Sequence, residues 1–251
     1  MGIIRSKKRS PKPISIHLDQ DMILTATGTV NINIPFLVNH VDFFPSSFKL
    51  EAGKQILYVD PLVVDDEIPA DFIFITHAHS DHFSMPDIEK LMKRETTIIC
   101  PIKVYKKLSK VLSDCRVIKV KPGEKWNFDE VSVQVIEAYN LKSGLVTPHS
   151  KSSMNVSYII DIGGIKFYHA GDSDYVPEMN GIKNIDVVLT PIDGGNLTMS
   201  TEKAAELTNK IKPKWVIPMH YNIGTNEIEK FRRLINDHIQ VQIMDGYMVQ
   251  E

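Results

Sequence analysis

The sequence predicts a single α/β domain rich in strands, and three observations carry that expectation. Strand-like and helix-like segments alternate almost throughout the 251 residues. No linker-like stretch, low-complexity segment or short-period repeat interrupts them. Hydrophobic residues make up 43% and charged residues 24%, the balance of an ordinary globular chain able to bury a large core.

In chain order, apolar and β-branched runs read as strands at Gln55–Asp60, Phe72–Thr76, Thr97–Cys100, Arg116–Val120, Val131–Ala138, Asn155–Ile160, Lys166–His169, Val187–Pro191, Trp215–Pro218 and Val241–Met244. Helical spacing appears at Pro86–Lys93, Ile102–Leu112, Thr201–Lys210 and Asn226–Asn236. For the third, Ser200 is the expected N-cap, Glu202 suits the first turn, and Ala204, Ala205 and Leu207 form one apolar face. Lys121-Pro122-Gly123, Asp161-Ile162-Gly163-Gly164 and Asp245-Gly246 supply turn chemistry between strands.

Charge and cysteine usage exclude several classes. A net charge of −2 offers no bulk attraction for nucleic acid or an anionic membrane, and no apolar run reaches spanning length. Cys100 and Cys115 have neither disulfide-framework nor ligand spacing, which points to reduced, buried thiols in a cytoplasmic protein. Arg5, Lys7, Lys8, Arg9 and Lys12 are followed by no apolar h-region, so residues 1–12 read as a flexible basic N-terminus rather than a signal peptide.

The chemistry concentrates in His77-Ala78-His79-Ser80-Asp81-His82. Such a cluster arises by shuffling this composition about once in a thousand chains, rare enough to favour metal ligation over coincidence. Imidazole and carboxylate are ligands of zinc and its first-row neighbours. His77 and His79 project to one side of an extended chain and can hold one ion, while Asp81 and His82 can reach a second. Phe72–Ile75, Lys166–Gly171 and Lys214–Met219 are three apolar runs that end in a candidate ligand, namely His77, Asp172 and His220. With His149 from a loop, these residues are the natural suppliers of the missing ligands, and the two oxygens of Asp172 can bridge two ions. A pair of ions about 3.5–4 Å apart clamps an oxygen nucleophile and brings the pKa of bound water to ~7, so no Ser or Cys nucleophile is required.

The stretches Ile75–Phe83, Ala138-Tyr139-Asn140, Phe167–Asp174 and Ile217–Tyr221, with Tyr58-Val59-Asp60-Pro61 before them, resemble the metallo-β-lactamase superfamily of metal-dependent hydrolases. The branch most resembled contains L-ascorbate-6-phosphate lactonase and the phospholipase D acting on N-acyl phosphatidylethanolamine. This resemblance implies a four-layer αββα sandwich and two divalent ions, Zn2+ first, with Mn2+, Fe2+ or Ni2+ as alternatives. By motif position, His77, His79 and His149 would bind one ion, and Asp81, His82 and His220 the other, with Asp172 bridging. Asp81 is also the expected catalytic group, orienting a metal-bound hydroxide. Asp60 and His40 are expected behind the ligands, Asp60 holding a ligand imidazole in its tautomer. Where the family often has Gly-Asp-Thr, this chain has Gly-Asp-Ser at Gly171–Ser173, which keeps the hydroxyl.

Other residues carry weaker expectations. His169 is read as a buried residue rather than a ligand, Asp174 and Asp193 as exposed loop acids, His17 and His238 as surface residues. Tyr139, Asn140 and Tyr221 are candidate substrate contacts. The implied activity is hydrolysis of an ester, lactone or phosphodiester, on a small-molecule substrate that carries a phosphate in the branch resembled. Alternatives are an iron-dependent oxidoreductase of the same fold, a nuclease, and a metal-binding protein without turnover. The chain is too short for an appended flavodoxin-like domain and shows no RNA-binding insertion, which weighs against the first two.

Overall fold

The apolar runs pair into two seven-stranded mixed sheets, each part antiparallel and part parallel. The computed structural model describes residues 14–34, 38–64, 68–112, 115–141, 147–195 and 197–246. The expectation for residues 1–12 lies outside them. Two compact units emerge, one built from residues up to 119 with 222–224 and 243–246, the other from 120–221 with 225–242.

In the first unit the chain enters through β1 (Ser15–His17), β2 (Met22–Ala26), a hairpin of β3 (Val30–Ile34) and β4 (Val38–Phe44), then β5 (Phe48–Ala52) and β6 (Gln55–Val59). It continues through β7 (Phe72–Phe74), α1 (Met85–Leu91), β8 (Thr97–Pro101), α2 (Ile102–Leu108) and β9 (Arg116–Val120). The sheet order is β1-β2-β5-β6-β7-β8-β9. Antiparallel pairing runs from β1 to β6, and β6, β7 and β8 are parallel. Parallel neighbours need a crossover, which α1 supplies between β7 and β8. Tyr58, Ile73, Ile75, Ile98 and Cys100 of the sheet region pack with Ile88 and Leu91 of α1 and Val104 and Leu108 of α2, all fully buried. Burial pushes the Cys100 thiol up to about 12, so it is an inert apolar side chain, as its lone spacing predicts.

The second unit comprises β10 (Lys125–Phe128), β11 (Val131–Glu137), β12 (Val156–Ile162), β13 (Ile165–His169), β14 (Val187–Pro191), α3 (Thr201–Ile211), β15 (Trp215–Met219), β16 (Tyr221–Asn222, at the boundary), α4 (Glu227–Leu234) and β17 (Gln240–Val241). Its sheet runs β10-β11-β12-β13-β14-β15-β17, antiparallel through β13 and parallel beyond. Ile162 pairs with Ile165, so Gly163 and Gly164 form a two-residue hairpin loop with φ of 59° and 79°, the signature of a type I′ turn. β8 and β14 are buried at every position, as expected of parallel strands covered on both faces. Ser200 caps α3 through Lys203 N, as its sequence predicts. Asn209 of α3 serves the end of α4, its Nδ2 donating to Leu234 O and its Oδ1 accepting from Asn236 N. Among the described residues no helix is long and apolar enough to cross a membrane.

The expected strands and helices form with shifts at their ends, except that Val241–Met244 is strand only at Val241, the second residue of β17. β7 stops at Phe74 rather than Thr76, because Thr76 N leaves the ladder to donate to the Asp60 side chain at 2.7 Å. Sequence reading missed β1 to β5, β10 and the two-residue β16, although Val30-Asn31-Ile32-Asn33-Ile34 carries a plain period-two signal.

Ile73→Ala, in the fully buried core of the first unit, is expected to cost about 2–5 kcal/mol. Val111→Ala, at a position 63% exposed, is expected to stay within about 0.5 kcal/mol. Urea unfolding of the two variants checks the contrast.

Candidate metal centre

In both sheets the candidate ligands follow the carboxyl ends of strands that take part in parallel pairing. In the first unit β6 leads to Asp60 and β7 to His77. In the second, β13 leads to Asp172, β14 to Asp193 and β15 to His220. This is where open α/β sheets place their sites, because the strands are held rigidly and their ends are not.

The first unit's ligands hang from Asp60, which is fully buried and left-handed at φ 47°. Its Oδ1 accepts from Thr76 N at 2.7 Å. Its Oδ2 accepts from Thr76 Oγ1 at 2.6 Å and from His82 Nδ1 at 2.7 Å. Because the Thr76 hydroxyl proton goes to Asp60, the hydroxyl oxygen is left to accept from His77 Nδ1, 3.1 Å away. Both His77 and His82 thereby carry their proton on Nδ1 and present the Nε2 lone pair. His77 Nε2 and His79 Nδ1 lie 3.1 Å apart. That is close to the ~3.3 Å edge of a tetrahedron with zinc–nitrogen bonds of ~2.0–2.1 Å. Asp81 Oδ2 stands 3.8 Å from His82 Nε2 and is partly exposed. Lys107 of α2 braces the loop, donating to Ala78 O at 3.1 Å and lying 5.0 Å over the Phe83 ring. These donors fit a first-row divalent ion, with imidazole rings turned the right way and a carboxylate beside them.

In the second unit Asp172 Oδ2 lies 3.1 Å from His220 Nε2 and 3.5 Å from His149 Nε2. All three side chains are buried. Gly171, at φ 57°, turns the chain between His169 and Asp172, and its N–H donates to His169 Nδ1 at 3.2 Å. His169 thus stays buried in β13, as read from the sequence. Ser173 Oγ accepts from Tyr139 N at 3.0 Å, so the hydroxyl of the Gly-Asp-Ser variant ties Asp172 to the end of β11. His220 is itself left-handed at φ 51°. Strained backbone of this kind persists where the surroundings over-determine it.

Several expectations change here. Asp193 is not an exposed acid: it is mostly buried, its Oδ2 lies 3.9 Å from His220 Nδ1, and burial raises its pKa. Asp174 is half-buried and accepts from Leu141 N at 2.7 Å. None of the three candidate substrate contacts is left open to solvent. Tyr221 is fully buried, Tyr139 donates to Glu178 at 3.0 Å, and Asn140 bonds to His149 and Leu197. His40 lies in β4, and its side chain is outside the described residues. His17 and His238 are exposed, as expected.

A clamp that sequence reading did not find holds the chain beyond His149. Lys151 reaches Glu137 at 2.9 Å and Glu178 at 2.7 Å, with its ammonium 4.7 Å over the Tyr139 ring. A hydrogen bond between the two glutamates, reinforced by Lys151, holds Glu178 down at about 2, and the same bond pushes Glu137 up. Lys151 is raised in turn by its bonds to both. The three groups are distant in sequence, so only pairing of the elements reveals them.

Comparison with known proteins places this chemistry. Residues 43–220 match the model of the beta-lactamase superfamily domain. A UPF0173 metal-dependent hydrolase of Thermococcus kodakarensis is 32% identical over 214 residues, covering 79% of this chain and 92% of the relative. One from Thermoplasma acidophilum is 33% identical over 184 residues, covering 68% and 77%. A crystal structure from Parabacteroides distasonis, of a protein assigned as a metal-dependent hydrolase, superposes with TM-score 0.71 at 27% identity, covering 93% of this chain and 98% of that one. The metallo hydrolase Igni18 of Ignicoccus hospitalis shares the fold at TM-score 0.65 and 24% identity, covering 81% and 93%. The α/β class expected from the sequence is therefore that of the metallo-β-lactamase fold, and the chain belongs to the metal-dependent hydrolases of the beta-lactamase superfamily.

Proposed function

We propose that this protein is a dinuclear metal-dependent hydrolase. By motif position in the superfamily, His77, His79 and His149 would hold one ion and Asp81, His82 and His220 the other, with Asp172 shared. The carrying observation is Asp172 Oδ2 facing the Nε2 atoms of His149 and His220 at 3.5 and 3.1 Å. One carboxylate oxygen aimed at two imidazoles is the arrangement a bridging ligand needs.

Divalent ions, when bound by these donors, would lower the pKa of bound water and polarise a carbonyl or phosphoryl oxygen. The protein's part is orientation. Asp60 keeps the His82 ring from turning, and Thr76 does the same for His77. Asp81 is the partly exposed carboxylate of the set, able to hold the proton of the attacking water and steer its lone pair toward the substrate. The substrate class is an ester, lactone or phosphodiester, carrying a phosphate in the branch that the sequence resembles. Zinc is the favoured metal on donor chemistry, with manganese, iron and nickel separated from it by metal analysis of protein purified without added metal.

Asp172→Ala is expected to lose most bound metal and at least about a thousandfold in turnover on a panel of esters, lactones and phosphodiesters. Metal content and activity equal to the wild type would end the two-ion reading. Asp60→Asn, which replaces an acceptor oxygen by an amide at His82 or Thr76, is expected to weaken metal binding roughly 10–100-fold in chelator competition. Unchanged affinity would detach Asp60 from the centre.

A further inference from the structure

We infer that Asn140 is the positioning residue for His149, fixing the tautomer in which that ring offers Nε2 to a metal. The inference rests on the ligand role proposed for His149. Asn140 follows β11 and is buried. Its Oδ1 accepts from His149 N at 3.2 Å and from His149 Nδ1 at 3.0 Å. Its Nδ2 donates to Leu197 O at 2.9 Å, and its backbone N donates to His149 O at 2.8 Å. Leu197 O also stands 2.9 Å from His149 Nδ1.

The direction of each bond follows from groups that have a single role. A backbone N–H only donates, so the atom of Asn140 facing His149 N is the oxygen. A backbone carbonyl only accepts, so the atom facing Leu197 O is the nitrogen. The amide orientation is thereby settled without reference to the imidazole. His149 Nδ1 then meets two acceptors, Asn140 Oδ1 and Leu197 O, and must carry the proton. In the neutral ring this leaves the lone pair on Nε2, the atom that faces Asp172 Oδ2 at 3.5 Å.

Asparagine suits this place because the site needs one acceptor and one donor on a short side chain. Aspartate keeps the acceptor for the ring but sets a second oxygen against Leu197 O. Alanine removes both and leaves Leu197 O as the ring's remaining acceptor. His149 comes from the loop between β11 and β12 rather than from a strand end, so it depends on side-chain bonds for the rigidity that the sheet gives the others.

The test uses the full chain and Zn2+ as the probe, with affinity read by competition against a chromophoric chelator. Asn140→Ala is expected to weaken binding roughly 10–100-fold. His149→Ala is expected to weaken it further, and adding Asn140→Ala to His149→Ala to change nothing more. Wild-type affinity in Asn140→Ala, or an equal loss from it in the His149→Ala background, overturns the inference while leaving His149 as a ligand. Wild-type affinity in His149→Ala instead removes the ligand role itself. A second measurement needs no variant: long-range proton–nitrogen correlation of metal-free, histidine-labelled wild-type protein. His149 protonated on Nδ1 is the expected signature, and protonation on Nε2 overturns the proposal even if Asn140→Ala does not fold.

Discussion

A carboxylate removed from water is tolerated when its oxygens are hydrogen-bonded, and the ligand loop of the first unit is organised around one that meets this condition. Asp60 accepts three hydrogen bonds, from Thr76 N, Thr76 Oγ1 and His82 Nδ1. One side chain therefore decides where β7 leaves the sheet, which way a hydroxyl points and how an imidazole is turned. The hydroxyl passes the constraint on to His77. Left-handed backbone at Asp60 costs about 1–3 kcal/mol, and the convergence of three donors is what offsets it.

The second unit solves the same problem with neutral groups. Its ligand segments are stitched by Ser173 to Tyr139 and by Asn140 to His149 and Leu197. Asp172 and the mostly buried Asp193 already set two carboxyl groups around His220. A further buried carboxylate there would raise its neighbours' pKa values and favour their protonated forms, which bind metal poorly. An amide and a carbonyl orient His149 without that penalty. Lys151, held between Glu137 and Glu178, secures the chain just beyond it.

Legibility followed burial. Strands such as β8 and β14, covered on both faces, announce themselves as unbroken apolar runs, and their boundaries were read to within a residue or two. The N-terminal strands escaped, even where Val30–Ile34 alternates cleanly, because mixed polar strands resemble loops when no motif anchors them. The candidate ligands were legible because first-row metals accept few side-chain types and those types recur at strand ends. Tyr139, Asn140 and Tyr221 misled for the opposite reason. A polar or aromatic side chain near a motif looks the same whether it faces a substrate or a buried carbonyl.

By itself the sequence determined the chemistry: a set of imidazoles and carboxylates, the α/β class and the superfamily of metal-dependent hydrolases. Only the tertiary structure decided which nitrogen each histidine presents, because a tautomer is set by the acceptor opposite it. Those acceptors are Asp60 for His82, and Asn140 with Leu197 O for His149. They lie 22, 9 and 48 residues away along the chain. Spacing within a motif cannot encode contacts at such separations; the pairing of strands and the packing of loops do.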